Sequence, residues 1–196
     1  TLRGLVGVAT FGLGVSGNAW YSGSSSNLQS ITGSAKSAGH WISLDPNLTW
    51  NITVYTNWML TITANGQWAS EPVISTEQFG AGGVNSVRGY HEGEVFGDDG
   101  WHISVEQQTP AHVVGMVHGS VPLTVRGSVY MDYARTFLID PQGRPGSVGL
   151  WGVGFGGVAS LGPNWEARFL FSLPLLDAGT TVAGHPYFNF GLTAQF

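Results

Sequence analysis

Every second residue of the stretch NWMLTITANGQWA, residues 57–69, falls on one side of an extended chain. Trp58, Leu60, Ile62, Ala64 and Trp68 share one face, and Met59, Thr61, Thr63, Asn65 and Gln67 share the other. Period two sustained over this length is the signature of a β-strand and excludes a helix. The preceding stretch repeats it, with Ile42, Leu44, Leu48, Trp50 and Ile52 opposed to Ser43, Asp45, Asn47, Thr49 and Asn51. Six further stretches alternate, around 3–16, 100–108, 122–134, 148–160, 164–174 and 188–196. Eight strands result, each near the roughly 9–11 residues with which a tilted strand crosses a bilayer. The connections at 53–56, 109–121 and 161–163 are short or moderate, whereas those at 17–38, 70–99, 135–147 and 175–186 are long. Short turns alternating with long loops is the layout of a bacterial outer-membrane barrel, and an even strand count puts both ends on the periplasmic side. No helix, linker or internal repeat is read from the sequence, so residues 1–196 are expected to form one transmembrane barrel domain.

Composition decides which side of those strands faces water. Only 10% of the 196 residues are charged, against roughly a quarter in soluble domains. The polar faces carry Gly, Ser, Thr and Asn and few charges, unlike the outer surface of a soluble up-and-down barrel. A mean hydropathy of +0.08 is too low for a helical membrane protein and suits strands that put half their residues in lipid and half in a polar lumen. Trp41, Trp50, Trp58, Trp68, Trp101 and Trp165 stand near strand ends, where an interfacial girdle places them. Trp58, Leu60, Ile62, Phe169, Phe171 and Phe190 are expected on the lipid face, with Leu60 near mid-strand. The fold class is all-β, an antiparallel transmembrane β-barrel. Thr1 follows no methionine or signal-like segment, so the chain is either mature or a cut fragment.

Several chemistries are excluded. A net charge of −5 without a basic block argues against nucleic acid, and the absence of cysteine removes disulfides and thiolate metal sites. GLGVSG (Gly12 to Gly17) and GVGFGG (Gly152 to Gly157) match GxGxxG, but neither opens a helix. Glycines at alternate lumen positions make room inside a narrow barrel. The histidines at 40, 91, 102, 112, 118 and 185 show no paired ligand spacing, so no metal or cofactor is expected. Glu106, Arg126, Glu166 and Arg168 read as charges filling the lumen rather than an acid–base pair. The sequons at Asn47 and Asn51 lie on strands and are discounted.

Alternation stops between Glu71 and Asp99. Within that segment stand Glu77-Gln78-Phe79, Gly82-Gly83, Ser86-Val87-Arg88-Gly89-Tyr90 and Gly97-Asp98, in that order. This series resembles the long-loop signature of the two-partner secretion transporters, the TpsB family. The resemblance implies a 16-stranded barrel, preceded by periplasmic POTRA domains, that exports a large passenger protein through the outer membrane. It covers most of the chain from about residue 40, and matches only the last eight strands; nothing here resembles a POTRA domain. In the family the V-R-G-[YF] loop folds into the lumen, and its arginine pairs with the aspartate of an F-x-D-x-G motif. That motif maps onto Tyr130-Met131-Asp132-Tyr133-Ala134, with alanine where the family has its final glycine. The terminal Phe196 resembles the sorting signal read by the barrel-assembly machinery.

The residues support this independently. Gly80, Gly82, Gly83 and Gly89 let a loop bend and approach a wall. Arg88 offers a planar fork of donors, and alternation puts Asp132 on the lumen side, where an unpaired carboxylate is costly. Arg88, Gly89, Tyr90 and Asp132 are therefore the candidate loop–barrel anchor, with Glu106 and Glu166 as fallback partners for Arg88. The alternative is a solvated loop arginine.

Three functional classes remain open: a translocation barrel or its C-terminal half, with lipid and a secreted passenger as partners; a small plugged eight-stranded barrel without transport, or an insertase fragment; and an outer-membrane enzyme, for which no residue set argues. Eight strands could also pair as two copies in a homodimer of sixteen.

Overall fold

The computed structural model describes residues 6–19, 25–34, 37, 39–54 and 57–195. Phe196 lies outside them. In chain order come strand β1 (Val6–Asn18), helix α1 (Ser25–Thr32), strands β2 (Trp41–Thr53) and β3 (Met59–Ala69), a 3-10 turn (Ser75–Glu77) and the short strands β4 (Phe79–Ala81) and β5 (Val95–Gly97). After these come β6 (Asp99–Gln108), β7 (His112–Val117), β8 (Val121–Phe137), β9 (Ser147–Leu161), β10 (Trp165–Pro174) and β11 (Tyr187–Ala194). The eight long strands form one antiparallel meander, β1-β2-β3-β6-β8-β9-β10-β11, and β4 and β5 make a separate hairpin inside the long loop. Among the described residues no ladder joins β11 to β1.

The two faces are inverted relative to a soluble protein. Phe11, Leu13, Ile42, Trp50, Trp68, Ile103, Val129, Phe155, Phe169, Phe171 and Phe190 are exposed on one face, while Asp132, His102, Ser43 and Ser172 are buried on the other. Loop 70–98 packs on the polar face, which is thus the inner one. Its apolar side chains Phe79, Ala81, Val87, Tyr90 and Val95 form a core with Ala134, Leu150 and Ala178 of the wall and a neighbouring loop.

Four sequence expectations need correction. Residues 109–121 are not simply a connection. β7 continues along the same side of β8 that β6 occupies, so the turn is at 118–120, with His118 and Gly119 at φ 49° and 75°. Pro110 has no N–H, and Thr109 bridges the break: its N–H donates to the Gly127 carbonyl at 2.9 Å, and its Oγ1 accepts from the Gly127 N–H at 3.0 Å. The consecutive Val113 and Val114 hid this strand by breaking alternation. Segment 17–38 contains helix α1, whose sequence shows only Leu28 and Ile31 at helical spacing; Leu28 is buried and Ile31 exposed. Trp41 turns inward, buried with Ala69 and Val73, while Trp50, Trp58, Trp68, Trp101 and Trp165 are exposed. Leu60 is the second residue of β3, beside the turn, and not mid-strand.

Candidate functional site

Strand register brings small and polar residues into a trench across the inner wall. Ser104, Asp132, Gly152 and Pro174 stand opposite one another on β6, β8, β9 and β10. The row on the turn side reads Glu106, Tyr130, Gly154, Ser172, and the row on the loop side begins His102, Ala134, Leu150. Residues 87–89 of the long loop lie along the trench. Gly152 is needed because an added Cβ would collide with the Arg88 carbonyl oxygen. Gly89 is needed twice over: its φ is +99°, and its Cβ would sit 3.1 Å from the Pro174 nitrogen.

Arg88 is clamped at every nitrogen of its side chain. Nε donates to Asp132 Oδ2 at 2.7 Å, and Nη2 to Asp132 Oδ1 at 2.7 Å and Ser104 Oγ at 3.1 Å. Nη1 donates to Glu106 Oε2 at 2.6 Å, and the Arg88 backbone N–H reaches Asp132 Oδ2 at 3.0 Å. Ser104 Oγ donates to Asp132 Oδ1 at 2.6 Å. The guanidinium carbon lies 3.4 Å over the Tyr130 ring. That ring is fixed by its hydroxyl, 2.6 Å from Ser172 Oγ and 3.1 Å from the Phe171 carbonyl. Asp132 is fully buried and Arg88 8% exposed, so a bidentate pair with a second carboxylate satisfies charges that water does not reach.

Tyr90 packs in the loop's core, its hydroxyl shared between the Trp151 and Leu176 carbonyls at 3.1 and 2.8 Å. His102 bridges from β6 to the loop, 3.1 Å from the Ser86 carbonyl and 2.8 Å from Asn65. Asp98 is buried at the loop's base and accepts from the Val73 and Ile139 N–H groups. Of the fallback partners, Glu106 meets Arg88, but Glu166 does not. Glu166 stands at the turn end of β10, paired with Arg168 at 3.1 Å. It lines, with Glu106, Arg126 and Arg168, a cavity of about 290 Å³ on the turn side of the clamp. Sequence reading missed Ser104 and Tyr130 as partners; both share the polar parity of their strands, but only register brings them to Arg88. Gly80 lies extended in β4, whereas Gly82 and Gly83 have positive φ.

A second link joins the long loop to loop 175–186. Glu94 accepts from Thr181 Oγ1 at 2.7 Å, from the Thr180 N–H and from the His91 N–H, and its side chain is 2% exposed. Burial alone would raise its pKa, but the bonds from Thr181, Thr180 and His91 lower it to about 2. A carboxylate depressed on folding stabilises the docked loops fully above its unfolded pKa, near 4.5, and that contribution fades as pH falls toward 2. The protection of the Thr180 and Thr181 amides relative to an unstructured chain at the same pH should therefore fall between about pH 4.5 and 2, and Glu94→Gln should flatten that dependence. An unchanged profile would assign the protection to other contacts.

Gly152→Val should expel the loop from its trench at a cost of about 1–3 kcal/mol. Protease cleavage within residues 84–94 should then appear in an otherwise folded sheet. Continued protection would mean that the trench does not set the loop's position.

A meander of long antiparallel strands, apolar outside and polar within, defines a β-barrel sheet of the outer-membrane type. The chain belongs to the haemolysin secretion/activation protein ShlB/FhaC/HecB family, which it matches over residues 7–156. This is the two-partner secretion family, whose members are protein-export channels and not enzymes. The fold is similar to that of CdiB from Escherichia coli, with a TM-score of 0.72 at 20% identity over 96% of this chain and 33% of that one. The chain thus spans about one third of the length of that relative. Among curated proteins, none matches it in sequence.

Proposed function

We propose that this chain is the C-terminal barrel portion of a two-partner secretion transporter that exports a passenger protein across the bacterial outer membrane. Loop 70–98 is its lumen element, anchored by Arg88, Gly89, Tyr90 and Asp132. The observation that carries the reading is the clamp itself, which ties a loop to β6 and β8 through a buried bidentate pair in a chain of this family. The outer edges of β1 and β11, which no ladder pairs among the described residues, are the places where further strands would complete a wider barrel. In this reading the long loops face outward from the cell, the apolar face meets lipid, and the assembly machinery inserts the barrel.

Secretion tests it. A full-length transporter carrying this segment, expressed in a Gram-negative host with its cognate exoprotein, should release that protein into the medium. Arg88→Ala should lower release by roughly tenfold or more, as losing a buried charge pair would, while the barrel remains in the membrane. No release by the unaltered transporter would remove the transport reading. Unchanged release by a folded Arg88→Ala variant would leave transport standing and reduce the clamp to a structural plug.

A further inference from the structure

We infer that the outward face around Arg135 binds one anionic phospholipid, its uncompensated phosphate on Arg135 and an acyl chain in the hollow beside Trp101. The inference rests on the membrane reading above.

Register again supplies the geometry. Gly66, Trp101, Arg135 and Gly149 form one row across β3, β6, β8 and β9, so Arg135 is two strands, about 10 Å, from Gly66. The row lies near the loop-side ends of these strands. Toward the membrane centre, Trp101 packs on Tyr133 at 5.1 Å and Tyr133 meets the edge of Trp151 at 6.4 Å, an aromatic belt at the depth of lipid head groups.

Arg135 is the one lysine or arginine on the outward face among the described residues. Arg126 and Arg168 line the inner cavity, Arg88 is clamped, and Arg144 is in loop 138–146. Arg135 donates to Ser147 Oγ at 3.0 Å and lies 5.4 Å over the Phe137 ring, neither of which neutralises it. No described carboxylate pairs with it, and Asp99, one row further toward the loops, accepts from the Ala69 N–H at 2.6 Å. Gly149 opposite carries no side chain, which leaves the guanidinium fork open to a phosphate.

The hollow is the second, independent observation. Gly66 and Ala64 leave a gap on the outward face, walled by Phe11, Leu48, Trp101 and Ile103, with a volume of about 290 Å³. Its lining is apolar and it opens toward the space the membrane occupies. Trp101 forms one wall of the hollow and stands beside Arg135, so one lipid can fill both.

The test is native mass spectrometry of the full chain refolded in detergent, offered dioleoyl phosphatidylglycerol or dioleoyl phosphatidylcholine. One phosphatidylglycerol should be retained roughly tenfold better. Arg135→Gln should abolish that preference, Arg135→Lys should keep part of it, and Arg144→Gln should leave it intact. Ala64→Phe should lower retention of both lipids by filling the hollow. Equal retention of the two lipids, or a preference that survives Arg135→Gln, overturns the site. Displacement of phosphatidylglycerol by inorganic phosphate alone would also overturn it, marking a free-phosphate site. Liposome flotation separates the two readings: a chain that fails to float loses the membrane assignment, whereas one that floats without lipid preference loses only this site.

Discussion

Asp132→Ala should destabilise the folded chain by about 3–5 kcal/mol, because it leaves the Arg88 guanidinium buried without its bidentate partner. Glu106 still reaches Nη1 at 2.6 Å, so the loss should fall toward the lower end. Arg88→Ala strands the opposite charge, a fully buried carboxylate left with Ser104 as its side-chain donor. The double variant removes both problems together and should cost less than the sum, with a coupling of about 2–3 kcal/mol. Urea unfolding of the four proteins in detergent measures the cycle. Additive losses would show that the two groups touch without supporting each other.

The second large effect concerns the outer face. Val129 and Phe155 stand near the middle of β8 and β9, in a row that continues through Phe171 of β10 to Phe188 of β11, with Phe155 and Phe171 stacked at 5.2 Å. Val129→Arg should cost about 2–4 kcal/mol in a bilayer, where the charge falls at mid-depth. The adjacent Ser128 points inward, to the cavity shared with Glu106 and Glu166, and Ser128→Arg should cost little. Unfolding of the two variants in lipid vesicles decides the matter. Equal penalties would mean that the two faces have been exchanged.

Val129 and Leu60 together show what alternation conveys. Parity assigns a residue to a face, and Ile42, Trp50, Val129, Phe155 and Phe190 are exposed on theirs while Ile52 is covered, but it carries no height. Leu60 and Glu166 have the right parity, yet both stand at the turn end of their strands. Glu166 is six residues before Ser172 on β10, about 20 Å from the row that meets Tyr130. The register of β6 against β8 is likewise invisible in sequence. Ser104 and Tyr130 could be placed inside but not beside Arg88. Trp41 shows the reverse: its place near a strand end suggests the interface, but its parity is inward and it is buried with Ala69 and Val73. What escaped altogether was structure without a period, such as α1 and the three-residue strands of the long loop.

The contacts of loop 70–98 also carry an order in time. Arg88 and Gly89 rest on β6, β8, β9 and β10, Tyr90 bonds to Leu176, and Glu94 holds Thr180 and Thr181. Every one of these partners is later in the chain than the residue it holds. The base of the loop meets earlier residues, Val73 against Trp41 and Ala69 and the Glu77 and Asp98 carbonyls against Gln67, but its tip, residues 87–94, cannot seat until the strands that follow it are in place. Its seating is a check that the later strands are complete. In pulse proteolysis during refolding, protection of residues 84–94 should arrive no earlier than protection of β10, and a chain truncated before residue 175 should keep the bond of Tyr90 to Trp151 but never acquire those of Tyr90 to Leu176 and of Glu94 to Thr180 and Thr181.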